Sequence, residues 1–192
     1  MSLRLLGANP CVTLYDDGTA VAYASLWRSD WSEQGGTGHV IVFGRPGRIR
    51  VLGADRDLSV WLAESFNRHL KGVNGAIPWS EPEYTVAPVE WDLDLSTGVR
   101  AAADDVEVEI TGPFDRMLTR DDAYDLGGTT NVLSTVWMPC RAGTIRVGGE
   151  LVPGAPEVDL EAPMSSAFIA EAEVWGWTTG ERGPAATTPG VS

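Results

Sequence analysis

Lysine is all but missing from this chain: Lys71 stands alone against thirteen arginines. We take that bias to reflect genome composition rather than chemistry. Histidine and cysteine are scarce too, with only His39, His69, Cys11 and Cys140 among 192 residues. Neither histidine lies near a second imidazole, a cysteine pair or a carboxylate at metal-ligand spacing. His-Glu-x-x-His and Cys-x-x-Cys are absent, so no metal site is expected. Two cysteines allow one disulfide at most, and a chain with 43% hydrophobic residues does not need it, so free buried thiols are the expectation. Gly-x-Ser-x-Gly is missing, and the Gly-rich stretch at 35–38 lacks the helix and lysine of a phosphate loop. No cofactor is expected. The opening MSLRLLGANPC is too short for a signal segment, Cys11 lacks the small residues of a lipoprotein cleavage site, and no later apolar run approaches a membrane span. A cytoplasmic protein with no membrane partner is the expectation.

Positive charge is the next shortage. Against 27 acidic residues there are 14 basic ones, a net charge of −13, which disfavours nucleic acid and anionic membrane as partners. The acidity gathers in 81–125, where only Arg100, Arg116 and Arg120 oppose it, whereas Arg45, Arg48, Arg50, Arg56, Arg68 and Lys71 crowd 45–71. Arg48 and Arg50 share a strand face, and an internal partner in the acidic half is a simpler use for them than an anionic ligand.

What is present is strand and turn. PCVTLY and GTAVAYASLW read as a hairpin through Asp16-Asp17-Gly18, and HVIVFG and RIRVLG as another through Arg45-Pro46-Gly47. Beyond residue 82, YTVAPVEWDLDL puts Val89, Trp91, Leu93 and Leu95 on one face, and DDVEVEIT does the same with Val106, Val108 and Ile110. TTNVLSTVWMP carries apolar groups on both faces, as a central strand does, and is expected to pair with GTIRVGG through a turn at Arg141-Ala142-Gly143. Asp121, Asp122 and Asp125 read as a solvated turn before Tyr124. SAFIAEAEVWGW is the last strong strand.

One stretch breaks this rhythm. From Asp55 to Gly72, apolar groups recur at Leu58, Trp61, Leu62, Phe66 and Leu70, with Asp55 as N-cap and Gly72 as stop, predicting a packed helix over about 55–72. Small side chains at Ala20, Ala22, Ala24, Ala170 and Ala172 offer a groove into which that stripe is expected to dock.

Eight to ten short strands with one inserted helix predict a mainly β fold, an antiparallel barrel or strongly curved sheet. In architecture alone it resembles the calycin or lipocalin-like group, whose barrels enclose a small ligand. Residues 1–177 are expected to form a single β-rich domain, and 178–192 a polar low-complexity tail.

Candidate site residues follow from this frame. Alternation puts Ile169, Glu171, Glu173 and Trp175 on one face of the last strand, where two neighbouring carboxylates facing a lumen would raise one pKa and suit acid–base catalysis. An outer face with aromatic edges is the simpler reading of the same pattern. His39 shares a face with Ile41 and Phe43, where a core histidine is commoner than a catalytic one. Asp92-Leu93-Asp94-Leu95-Ser96 begins like a calcium loop but fails at Thr97 and Ala103, where glycine and glutamate are required. Eight tryptophans suit either a filled core or a ligand site, with Trp27, Trp31, Trp137 and Trp175 the ligand-binding candidates.

Three functions fit these residues. The favoured one is non-catalytic binding of a small apolar or aromatic ligand. A cofactor-independent enzyme of hydratase, isomerase or cyclase type would use carboxylates such as Glu171 and Glu173, or His39, in the same cavity. A protein-interaction or structural subunit would instead display Trp27, Trp31, Trp175 and Trp177 as an exposed patch.

Overall fold

In the computed structural model, which describes residues 2–178, strand follows strand with one helical interruption. The strands are β1 (Ser2–Ala8), β2 (Cys11–Asp16), β3 (Thr19–Ser32), β4 (Gly38–Arg45) and β5 (Arg48–Gly53). Helix α1 (Arg56–Ser65), a 3-10 turn (Asn67–His69) and α2 (Lys71–Asn74) follow. Then come β6 (Pro82–Val86), β7 (Glu90–Asp94), β8 (Gly98–Ala103), β9 (Val106–Pro113) and β10 (Met117–Leu126). The long β11 (Thr129–Val147), the short β12 (Glu150–Leu151), β13 (Val158–Asp159) and β14 (Met164–Ser165), and β15 (Ala167–Trp177) complete the order. The tail expected over 178–192 lies, from 179, outside the described residues.

This is a mostly β domain built on a mixed sheet with one small helical segment. The main strand path runs β6-β5-β4-β3-β1-β15-β11-β9-β8-β7, with β2 between β3 and β15 lower down and β10 on the free side of β11. Two features depart from the antiparallel barrel expected. Strands β5 and β6 pair in parallel because the helical segment carries the chain back across the sheet, and no pairing of β6 with β7 closes the path among the described residues.

Strand β11 makes the path into two layers. Its first half pairs with β15 and β10, its second with β9, so one 19-residue strand passes from the larger sheet into the β7-β8-β9 sheet. The turn expected at 141–143 is therefore absent, and Ala142 and Gly143 continue the ladder opposite Thr111 and Ile110. Likewise the solvated turn expected at Asp121 to Asp125 is part of β10, whose mostly exposed side chains hide its strand character in the sequence.

Between the two layers lies one core. Leu14, Ala22, Ala24, Leu26, Ile41, Phe43 and Ile169 of the larger sheet meet Val99, Ala101, Val106, Val108, Ile110 and Ile145 of the smaller one. The other face of the larger sheet forms a second core, where Tyr23, Trp27, Val40, Val42, Ile49 and Val51 meet Leu58, Leu62, Ala63 and Phe66 of the helical segment. Strands β3 to β5 are thus buried on both faces. From Ala22 to Trp27 alternation dictates the sorting, odd residues of β3 facing the helix and even ones the second sheet; before the register shift opposite Leu14 and Tyr15 the faces exchange, with Ala20 on the helical side and Val21 between the sheets.

That sorting corrects the docking expected for the helix. Ala22 and Ala24 are fully buried, but against the second sheet, and the helix instead meets the aromatic and branched residues opposite them. The helix is also shorter than expected. Asp55 caps α1 by accepting the Leu58 backbone N–H at 3.0 Å, but the chain leaves helical geometry at Phe66 and Gly72 falls inside α2 rather than ending the helix. The break turns Asn67 inward, where its carboxamide oxygen accepts the Trp27 indole N–H at 3.2 Å and its nitrogen lies 3.5 Å from the Tyr23 hydroxyl. A continuous helix would leave that buried indole N–H without its partner, at a cost of about 1–3 kcal/mol.

Candidate functional site

The helical segment packs on β4, β5 and β6, and its Phe66 reaches Trp27 of β3 and the edge of β15 at Trp175. Beyond Leu70, Gly72 and Val73 the same face continues across β2, β15, β11 and β10 without a helix, and there it lines a cavity of about 700 Å³. Strand β2 contributes Cys11, Thr13 and Tyr15; β11 contributes Leu133, Thr135 and Trp137; β10 contributes Met117, Thr119 and Tyr124. From β15 come Phe168, Ala170, Glu173 and Trp175, with Met164 to Ser166 just before that strand.

A single irregularity decides what β15 presents. Opposite β11, Val174 pairs with Ser134 and Glu171 with Val136, so Ala172 and Glu173 together face the one residue Thr135. Ala172 takes φ +49, the left-handed conformation of a bulge, and sits exposed. The extra residue resets the alternation. Phe168 and Ala170 before the bulge share a face with Glu173 and Trp175 after it, whereas Ile169 packs between the sheets. This overturns the expected grouping of Ile169, Glu171, Glu173 and Trp175.

The two carboxylates are therefore separated. Glu171 pairs with Arg28 at 2.7 Å, and Arg28 also holds Asp30 at 3.1 Å. Glu173 is 4% exposed and has no cationic partner among the described residues. One of its oxygens accepts the Trp175 indole N–H in a short contact, and the other has no hydrogen-bond partner among the described residues. Burial pushes its carboxyl up to about 8; the Trp175 hydrogen bond works against that rise, and the charge of Glu171 adds to it. Burial thus favours the protonated form of Glu173 in this apolar wall.

Aromatic contacts frame this acid. Trp175 meets Tyr124 edge-to-face at 5.1 Å and Phe66 at 5.3 Å, so it forms the partition between the cavity and the helix-covered core. Trp137 and Phe168, on adjacent strands, lie 5.5 Å apart. Nearby, the Cys11 thiol lies 3.4 Å from both the Asn9 side-chain oxygen and the Ser25 hydroxyl. Burial pushes that thiol up to about 12, so it is no nucleophile at neutral pH. Cys140 is likewise free and buried, in the core between the sheets.

Of the residues singled out in the sequence, Trp137, Trp175 and Glu173 come together at the cavity. The others lie elsewhere. Trp27 is fully buried under α1, and Trp31 is 43% exposed on β3. With Trp27 and Trp175 both buried, the exposed patch of Trp27, Trp31, Trp175 and Trp177 does not form. His39 stacks on Trp91 at 4.7 Å, its pKa lowered by burial and then by Arg28. Sequence reasoning missed Tyr124, Phe168 and Leu133 as lining residues. Phe168 was hidden by the bulge, and Tyr124 by the run of aspartates around it. Among the described residues no group of three or more His, Cys, Asp or Glu is placed to hold a metal, and no helix is long and apolar enough to cross a membrane. Arg48 and Arg50 find internal partners, in Glu83 at 2.9 Å and in Asp105 at 2.7 Å.

No protein-family model, curated protein or solved structure matches this chain.

Proposed function

We propose that this protein binds a small apolar or aromatic molecule, without catalysis, in the cavity beside the helical segment. The observation that carries the reading is the uncovered stretch of sheet itself: about 700 Å³ walled by Leu133, Trp137, Phe168, Trp175 and Tyr124. That volume falls in the range of small-molecule sites, and the mixture of apolar wall with few polar groups is their usual composition. A core left open in this way forgoes the packing its aromatic residues would gain if the sheet were covered.

Fluorescence titration with N-phenylnaphthylamine, a neutral apolar probe, tests it. The probe should brighten and saturate at one site, and Ala170→Phe, which fills the floor of the cavity, should abolish binding. Retained binding in that variant places the probe elsewhere and removes the reading.

One observation favours acid–base catalysis as a second reading, namely the Glu173 carboxyl held near 8 in a cleft. The two-carboxylate arrangement is not available to it, because Glu171 lies on the opposite face with Arg28. Glu173 would have to serve alone. A substrate consumed in the presence of wild-type protein but not of Glu173→Gln would favour this reading over simple binding.

A further inference from the structure

Resting on the reading of this cavity as a ligand site, we propose that its ligand is a lipophilic amine, a primary or secondary ammonium carried on an apolar or aromatic body.

What the cavity lacks points to that ligand. None of its described lining residues is Arg, Lys or His, and Glu173 is the one carboxyl among them. Among the described residues, three cations on other elements of this sheet and its helical segment are committed elsewhere: Arg28 to Glu171 and Asp30, Lys71 to Asp125 at 2.8 Å, and Arg4 to Glu33 at 3.1 Å. A carboxyl buried in protein is ordinarily paired or replaced by an apolar group. Here one oxygen is held by Trp175 and the other is left without a partner. The complement that its ionised form lacks is a hydrogen-bonding cation.

The surroundings suit the same ligand. Trp175 and Tyr124 stand at 88° to each other next to Glu173, so an ammonium near the carboxylate would also lie close to aromatic rings, which attract cations electrostatically. Trp137 and Phe168 continue the aromatic wall away from the acid, giving room for an apolar body. An anionic ligand would meet a carboxyl and a chain of net charge −13. A neutral alcohol would satisfy the free oxygen but gain nothing from either the ring faces or the charge.

Binding then carries a proton balance. The ammonium enters charged, Glu173 gives up its proton to solvent, and the complex holds carboxylate and ammonium together. Below the Glu173 value of about 8 each amine bound releases a proton, roughly one per ligand near neutrality, and above it none. Amine affinity should accordingly rise between about pH 6 and pH 8.5, while that of the matching alcohol should not. The groups facing Glu173 do not confuse this window. Cys11 on β2 is pushed up to about 12, Tyr124 on β10 is raised by burial and then by Glu173 itself, and Glu171 on the same strand is ion-paired. The helical side offers only Leu70, Gly72 and Val73.

The test is displacement of N-phenylnaphthylamine by octylamine, octanol and octanoic acid at about pH 8.5, with wild-type protein and Glu173→Gln. Octylamine should compete roughly 30-fold better than octanol in wild type, and the ratio should collapse towards one in Glu173→Gln. Calorimetry of octylamine binding to wild-type protein in buffers of different ionisation enthalpy is independent of the variant's folding, and should show proton release at neutral pH that vanishes above about pH 9. A probe that binds while amine and alcohol compete equally, or amine binding without proton release, overturns the amine assignment and leaves the cavity reading standing. A probe and ligand series that all fail to bind overturns both.

Discussion

One face of one sheet meets two fates. Over β3 to β5 it is sealed by the helical segment, and Trp27, Phe66 and Trp61 interlock with ring centres 5.0 to 5.7 Å apart. Over β2, β15, β11 and β10 the same face carries aromatic groups of similar size, yet they border open volume and include the unpaired acid Glu173. Trp175 touches both regions, with Phe66 on one side and Tyr124 on the other. Aromatic content therefore does not separate core from site. What separates them is whether an opposing element is long enough to reach, and α2 ends the helical cover at Asn74.

Truncating one aromatic from each half should separate the two regions most strongly. Phe66 is fully buried beneath Trp27, Trp61 and Trp175, and Phe66→Ala should lower the unfolding free energy in urea by about 3–5 kcal/mol. Trp137 borders the cavity and keeps part of its surface exposed, so Trp137→Ala should cost about 1–2 kcal/mol, because it opens no new enclosed void. Equal losses would mean that the cavity wall is packed as tightly as the core.

Charge distinguishes the halves next. Glu173 has a folded pKa near 8, above its ordinary value of 4.5, so the folded state holds its proton more tightly than the unfolded chain does. Its contribution is most favourable below pH 4.5 and is lost as pH rises towards 8, at about 1.4 kcal/mol per pH unit where the difference is complete. His39, whose pKa is lowered, works in the opposite sense around its ordinary value of 6.5, so the comparison must be made against Glu173→Gln at each pH. Subtracting the variant's stability curve from the wild-type curve should leave a fall confined to that window. A flat difference would mean that Glu173 is hydrated rather than enclosed.

Much of the covered half could be read in advance. The Asp55 cap, the stripe of Leu58, Leu62 and Phe66, and the hairpin turning at Asp17 and Gly18, both with positive φ, are local features that short stretches of sequence encode. Inward Val106, Val108 and Ile110 followed from strict alternation. The open half was harder because it depends on two non-local decisions. Strand β10 is mostly exposed and acidic and becomes a strand through its pairing with β11, which no residue of its own announces. The faces of β15 depend on a bulge at an alanine, a residue with no preference for that conformation, so alternation counted through Ala172 assigns every side chain on one flank of it to the wrong side. Trp137 and Trp175 were recognisable as candidates by residue type alone; the depth of Trp27 was not.

The bulge therefore offers the finest test, small in energy but opposite in sign to what a regular strand would give. Ala172 is exposed with φ +49, where an L residue other than glycine is strained by about 1–2 kcal/mol. Replacing it with glycine relieves that strain and removes no buried contact, against a backbone-entropy cost of about 0.5–1 kcal/mol, so Ala172→Gly should raise stability by up to about 1 kcal/mol. Ala172→Val should lower it by about 1–2 kcal/mol, since branching at Cβ tolerates the left-handed region least. In an unbroken strand the order reverses, with valine the most stabilising and glycine the least. Measured by urea unfolding, an order of glycine, alanine, valine from most to least stable supports the bulge and with it the placement of Glu173 beside Phe168 and Trp175. The reverse order would return Glu173 to the face of Glu171 and Arg28, and the cavity would lose its acid.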